Sequence, residues 1–209
     1  MKTETVDGIV YKYSSDWIYK LEVPEHWLLY WNQVNLINKY HEKNDTILEI
    51  GVGSGFTANY LKSKNISVTT FDIDEEKKPD ITGNIVTHKF DKRYDMVMAF
   101  EVFEHIPFEK FSEILTNLKV VCNKYIILSI PRNEKTWLEI KVRTPLFKWS
   151  FRIKTLRHKL TTENHFWEID YKSYTLKKFI RTVEENGFTL SEKKNVDANY
   201  FMVFRKNET

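Results

Sequence analysis

Thr46-Ile47-Leu48-Glu49-Ile50-Gly51-Val52-Gly53-Ser54-Gly55 decides how the rest of the chain is read. Thr46–Ile50 is an apolar, partly β-branched run of strand length. An acid stands just before its end, and three glycines follow at a spacing of two. Phe56–Ser63 then reads as a helix. A strand, a glycine-rich turn and a helix start together suit a nucleotide-like ligand. Glycine lets backbone approach the ligand, and the first helical turn offers unpaired N–H groups. The spacing is not the dinucleotide fingerprint. Gly-x-Gly-x-x-Gly would need its third glycine at position 56, where Phe56 stands.

Working outward, Pro24 opens a helix over Glu25–Tyr40, since proline suits a first helical turn. After the glycine turn, Ser67–Phe71 reads as a second strand ended by Asp72. Ile85–Lys89 reads as a third, Tyr94–Phe100 as a fourth and Tyr125–Ile130 as a fifth. Pro107–Val121 has helical apolar spacing at Phe108, Phe111, Leu115 and Leu118. Ser173–Asn186 reads as a helix stopped by Gly187, and two closing strands follow, Phe188–Lys194 and Tyr200–Arg205. Alternating strands and helices imply a mostly parallel sheet with right-handed crossovers. The two closing strands, with no helix between them, imply a hairpin at one edge. The expected fold is α/β: a Rossmann-like, seven-stranded, mostly parallel sheet with helices on both faces and an antiparallel C-terminal hairpin.

Bulk properties narrow the class. At 209 residues, with 42% hydrophobic and 29% charged, the chain suits one soluble domain with a real core. Its expected parts are an N-terminal helical extension (1–44), a cofactor-binding core (45–135), a basic and aromatic insertion acting as a substrate cap (136–170), and a C-terminal helix and hairpin (171–209). The extension carries Tyr11, Tyr13, Trp17 and Tyr19. Cys122 is alone, which excludes an internal disulfide and a cysteine metal cluster. Met1–Val10 is polar and no run reaches membrane-span length, so a cytoplasmic location is expected. A net charge of +3 does not call for nucleic acid. From Ile140 to Leu160, however, there are seven Lys or Arg and no Asp or Glu, interleaved with Leu146, Phe147, Trp149, Phe151, Ile153 and Leu156. The expectation there is a solvated cap whose aromatics pack on the core. The alternative is a surface for an anionic substrate or a membrane face.

Two stretches carry a resemblance. The Glu49–Gly51–Gly53–Gly55 series resembles motif I of the class I S-adenosylmethionine-dependent methyltransferases, of the methyltransferase type 11/23 kind. Tyr94-Asp95-Met96-Val97-Met98-Ala99-Phe100-Glu101-Val102-Phe103-Glu104-His105 resembles that family's aromatic-Asp pair, fourth strand and Val-Leu-Glu-His-type loop, with Phe103 in place of Leu. The resemblance covers about Asp45 to Lys206. It implies S-adenosylmethionine as cofactor and S-adenosylhomocysteine as product. By it, Glu49 lies near the cofactor's amino group, the three glycines make room for the methionine part and ribose, and Asp72 binds the ribose, with Asp74 as competitor. Ile73 and Phe100 border the cofactor. Asn84, where relatives often have Asp, belongs to the segment that reads adenine. Glu104 and His105 border the transferred methyl, where His105 can take a proton or simply brace the loop. Tyr13, Trp31, His165 and Trp167 are candidate substrate contacts, with Tyr11, Trp27 and Trp149 as further pocket walls.

The implied activity is methyl transfer to an O or N atom of a small molecule, and a phosphorylated, sugar-containing or lipid-linked one would suit the basic segment. Methyl transfer asks mainly for alignment and exclusion of water, so no catalytic triad is expected. Glu101-x-x-Glu104-His105 with His165 also resembles the metal-binding arrangement of small-RNA 2′-O-methyltransferases, and a similar run occurs in ubiquinone-pathway O-methyltransferases. No metal is the default expectation. An RNA 2′-O-methyltransferase with a divalent metal, a NAD-dependent oxidoreductase and a non-catalytic cofactor-binding module are the alternatives.

Overall fold

The strand expected at Thr46–Ile50 lies at the centre of the molecule, and the other elements arrange around it. The computed structural model describes residues 2–13, 23–144 and 146–208, so Trp17 and Tyr19 lie outside the described residues. In chain order, β1 (Lys2–Val6) and β2 (Ile9–Tyr13) precede α1 (Pro24–Tyr40), β3 (Thr46–Ile50), α2 (Phe56–Ser63) and β4 (Ser67–Asp72). Next come β5 (Ile81–Thr82), β6 (Tyr94–Phe100), α3 (Phe111–Val121) and β7 (Cys122–Pro131). After them come β8 (Glu134–Arg143), β9 (Lys148–Leu156), α4 (Leu176–Glu185), β10 (Phe188–Val196) and β11 (Asn199–Lys206). The seven-stranded sheet has the order β10-β11-β7-β6-β3-β4-β5. From β7 to β5 neighbouring strands are parallel, and β11 runs antiparallel to both β7 and β10.

Period-two alternation sorts the side chains onto two faces. Ile47, Met96, Met98, Ile127, Phe201 and Val203 meet Leu36 and Ile37 of α1 and Ala58 and Leu61 of α2. Leu48, Ile50, Val97, Ala99, Ile126, Leu128 and Phe204 point the other way, into a core with Phe111, Leu115 and Leu118 of α3 and Phe179 and Val183 of α4. Each fully buried Leu, Ile or Phe contributes about 1.5–3 kcal/mol. The expected layers, a sheet with helices on both faces, are therefore present. Register then sets up the site. Ile50 pairs with both Phe71 and Ala99, and Ala99 pairs with Leu128. The turns after β3, β4 and β6 thus leave the sheet side by side at its carboxyl edge, where ligands of such sheets sit.

Three local expectations change. No strand forms over Ile85–Lys89, and the third parallel strand is the two-residue β5. Asn84 closes a turn there. Its side-chain oxygen accepts the Val86 N–H at 2.9 Å, and its carbonyl accepts the His88 N–H at 2.7 Å, which diverts groups a ladder would need. The N-terminal extension is not all helical: β1 and β2 pair antiparallel around Asp7-Gly8 before α1 begins. Asp-Gly is a favoured two-residue hairpin turn, and both residues take positive φ, 52° and 76°. The insertion at 136–170 contains β8 and β9, an antiparallel ribbon outside the main sheet. The ribbon's aromatics do not pack on the core: Phe147 is 56% exposed, Trp149 51% and Phe151 45%.

Candidate functional site

The glycine turn closes over β4 and β6. The Gly51 N–H donates to the Phe71 carbonyl at 2.8 Å, and Gly51 has φ +79°. A Cβ on Gly51 would lie 2.4 Å from Val102 Cγ2, so this residue must lack a side chain for the loop after β6 to close in. Gly55 stands at the N-cap of α2. Asp72, buried at the end of β4, holds this turn: Oδ2 accepts the Val52 N–H at 2.8 Å and Oδ1 accepts the Asp74 N–H at 2.9 Å. Lys77 Nζ approaches Asp72 Oδ2 at 3.2 Å. Asp74, the competitor, is also buried and accepts the Glu76 N–H at 3.1 Å.

A cavity of about 660 Å³ opens against these turns. Glu49, Gly51, Gly53, Asp72, Ile73, Phe100, His105, Tyr13 and His165 all line it, so nine expected site residues converge. Tyr11 also lines it. Glu49 is 4% exposed and its Oε2 has no hydrogen-bond partner among the described residues. Burial pushes its carboxyl up to about 8, with nearby Lys62 opposing and Asp72 adding to the rise.

The loop after β6 forms the opposite wall. Glu101 takes φ +55°, uncommon without a glycine, while its carboxylate accepts from Ser129 Oγ at 2.7 Å. Burial raises Glu101 to about 7, against the Ser129 bond. Glu104 is fully buried behind the cavity wall, and neither carboxylate oxygen has a partner among the described residues. Burial and the neighbouring Glu101 hold it well above the usual carboxylate range. His105 Nδ1 donates to the Asn164 carbonyl at 3.1 Å, and its ring meets that of His165 edge-on at 4.9 Å. Burial and His165 push His105 down to about 4, only partly offset by backbone bonds. His105 is therefore neutral at pH 7. His165 is oriented in turn by Glu168, at 2.7 Å. Glu104, His105 and His165 present ligand atoms within 4.8 Å of one another, a donor set able to hold a divalent cation.

Several expected residues stand elsewhere. Asn84 does not line the cavity. Its amide is occupied by Tyr11 Oη, the Val6 carbonyl and the Val86 N–H, so it ties the N-terminal hairpin down. Trp31 lies on the outer face of α1, 59% exposed, with Lys194 over its ring. Trp167 is core rather than pocket wall. It is 1% exposed, donates from Nε1 to the Ile106 carbonyl at 3.0 Å, and sits among Phe108, Phe111 and Phe179. Trp27 and Trp149 are half exposed, and neither lines the cavity. Conversely, Leu29, Tyr30 and Gln33 of α1 line the cavity with Lys77. Gln33 Oε1 accepts from Thr57 Oγ1 at 2.5 Å, and the Tyr30 and Ser54 hydroxyls lie 3.0 Å apart. A single sequence signals these residues poorly, because they precede the glycine motif on a helix of weak polar-apolar contrast.

A family model described as a methyltransferase domain matches residues 28–193. The chain belongs to this family. The methyltransferase is 27% identical over 191 residues to a ubiquinone biosynthesis O-methyltransferase of Rickettsia bellii, covering 80% of this chain and 78% of the relative. A protein of the same name from Rickettsia canadensis is 27% identical over 185 residues, covering 77% of this chain and 76% of the relative. Among solved structures, magnesium protoporphyrin IX methyltransferase from Synechocystis PCC 6803 with bound S-adenosylhomocysteine superposes with a TM-score of 0.62 at 13% identity. It covers 88% of this chain and 84% of that one. A methyltransferase from Clostridium acetobutylicum gives 0.59 at 11% identity, with 92% and 96% covered. At these identities the structures establish the shared fold. The chain is thus an S-adenosylmethionine-dependent methyltransferase, not a nicotinamide-dependent oxidoreductase. Its cavity fits that cofactor chemically: an unpartnered buried carboxylate oxygen suits an ammonium group, and the bare Gly51 leaves room beside it.

Proposed function

We propose that the methyltransferase transfers the methyl group of S-adenosylmethionine to an O or N atom of a small-molecule acceptor that enters between His105, His165 and the N-terminal hairpin. The cofactor's amino group would meet Glu49, its methionine part and ribose the Gly51–Gly55 turn, and its ribose hydroxyls Asp72. Bound there, the cofactor supplies an electrophilic sulfonium methyl. The observation that carries this reading is one cavity lined by both Glu49, with its unpartnered oxygen, and neutral His105. His105, held neutral with its ring fixed by Asn164 and His165, then accepts a hydrogen bond from the acceptor, whose proton leaves to solvent. The relatives named as O-methyltransferases favour oxygen as the receiving atom. A phosphorylated, sugar-containing or lipid-linked acceptor suits the basic insertion.

Label transfer from radioactive S-adenosylmethionine to a panel of hydroxyl and amine acceptors tests the assignment. Asp72→Ala should weaken S-adenosylhomocysteine binding about tenfold or more, because it removes hydrogen bonds to a charged group and loosens the Val52 turn. Unchanged binding would move the ribose to Asp74 or another group.

A second reading keeps the cofactor and changes the acceptor to an RNA 2′-hydroxyl, polarised by a divalent cation on Glu104, His105 and His165. Their proximity and the two unpartnered Glu104 oxygens favour it. Glu101, the remaining donor of that arrangement, is instead bonded to Ser129. Turnover that disappears with a chelator and returns with magnesium or manganese supports this reading, and chelator-insensitive turnover removes it.

A further inference from the structure

The ribbon of β8 and β9 has an unusual division. Its register places Leu138 opposite Ile153, Ile140 opposite Phe151 and Val142 opposite Trp149. These six alternate along their strands and so share one face. All are exposed, from 36% for Ile153 to 51% for Trp149, and the rings of Trp149 and Phe151 stack at 6.0 Å with planes 6° apart. The tip adds Leu146, 95% exposed, and Phe147. The intervening positions are polar in sequence: Glu139, Lys141 and Arg143 on β8, and Lys148, Ser150 and Arg152 on β9. A two-stranded ribbon is marginal alone in water and gains stability when its apolar face is covered. Eight apolar side chains gathered on one face and tip form an interaction surface rather than the scattered exposure of an ordinary surface.

Charge identifies the cover. The stretch from Ile140 to Leu160 holds seven cations and no acid. Two such ribbons packed through their apolar faces would leave those cations, which stand at the intervening positions, without a counter-charge from the partner. An anionic bilayer accepts both parts at once, with apolar side chains below the headgroups and Lys or Arg among the phosphates. We infer that the β8–β9 ribbon docks this methyltransferase on an anionic lipid bilayer, its apolar face and tip inserted.

The ribbon's position gives docking a consequence. It leaves the carboxyl end of β7 and returns through residues 157–161 to Thr162, Asn164 and His165 in the cavity wall. Its base is pinned by Glu134, which pairs with Lys154 and, at 2.6 Å, with Arg132. A docked ribbon therefore holds the cavity beside the bilayer, and the acceptor class is a molecule that partitions into lipid. That last step rests on the proposed function; the docking does not.

Co-sedimentation of the full chain with phosphatidylcholine vesicles, with and without phosphatidylglycerol, tests the inference. The parent should bind the anionic vesicles at least about tenfold more tightly, and added salt should weaken that binding. Val142→Ser/Trp149→Ser/Phe151→Ser should lose at least about tenfold. Arg143→Ala and Lys159→Ala should each lose about fivefold. Every variant should keep the parent's thermal shift with S-adenosylhomocysteine, which shows the fold intact. No preference for anionic vesicles, or equal binding by the triple variant, overturns the inference. So does a parent dimer that the triple variant dissolves without any vesicle binding. Vesicle binding that persists where S-adenosylhomocysteine gives no shift would count against the cofactor assignment and leave the docking standing.

Discussion

Glu49 holds a carboxyl group almost out of water on the cavity wall. Its pKa stands near 8, against 4.5 for the ordinary group, so the folded chain binds this proton more tightly than the unfolded chain. Its contribution to stability is present at low pH and declines as pH rises from about 4.5 to about 8. Glu49→Gln should therefore equal the parent near pH 4.5 and exceed it in melting temperature by pH 8. The same substitution should weaken S-adenosylhomocysteine at least about tenfold, because a neutral amide no longer meets the ligand's ammonium as a charge. Thermal unfolding across pH, with and without ligand, reads both effects. A variant no more stable than the parent at pH 8 would mean that Lys62 offsets the burial of Glu49 in full. At this scale the sequence places Gly51 and Asp72 at strand ends beside the cavity, because backbone chemistry fixes them there. It is a poor guide for Trp167 and Asn84, because which cavity or neighbour a side chain faces is set by segments far away in sequence.

Whole elements are legible where periodicity is long, as in β3, β6, α3 and the closing β10–β11 pair. They are not legible where a side chain overrides the pattern, as Asn84 does by making Ile85–Thr87 a turn. The segment that follows the ribbon shows why role is harder to read than structure. Asn164-His165-Phe166-Trp167-Glu168 is one stretch, yet His165 faces the cavity while Trp167 plugs the core under α3 and α4. The Phe166 N–H bonds to the Glu104 carbonyl at 2.8 Å, which ties this stretch to the loop after β6. Trp167→Ala should cost about 3–5 kcal/mol in urea unfolding, the range for large aromatics in a core. Ligand affinity of the molecules that remain folded should be unchanged. Loss of acceptor turnover with stability intact would instead restore Trp167 as a pocket wall.

At the scale of the molecule, the cavity is assembled from parts far apart in sequence. Tyr11 and Tyr13 come from the N-terminal hairpin, Tyr30 and Gln33 from α1, Asp72 and Phe100 from strand ends, and Thr162 and His165 from beyond the ribbon. The glycine turn alone announces only the middle of this wall, which is why the motif points to the cofactor and says little of the other lining residues. A ligand that touches all these parts stabilises the whole fold rather than one loop. At a hundred times its dissociation constant, S-adenosylhomocysteine should add about 2.7 kcal/mol. For a domain of this size each kcal/mol moves the midpoint by about 2–4 °C, so the shift should be about 5–10 °C in one cooperative transition. NADH should give none, since Phe56 occupies the position where a dinucleotide turn needs glycine. Gly51→Val should abolish the shift, because its side chain would collide with Val102 and close the loop's approach. A split transition, in which the ligand raises only one part, would mean that the hairpin and the 162–165 segment move independently of the sheet and that the cofactor rests on the strand ends alone.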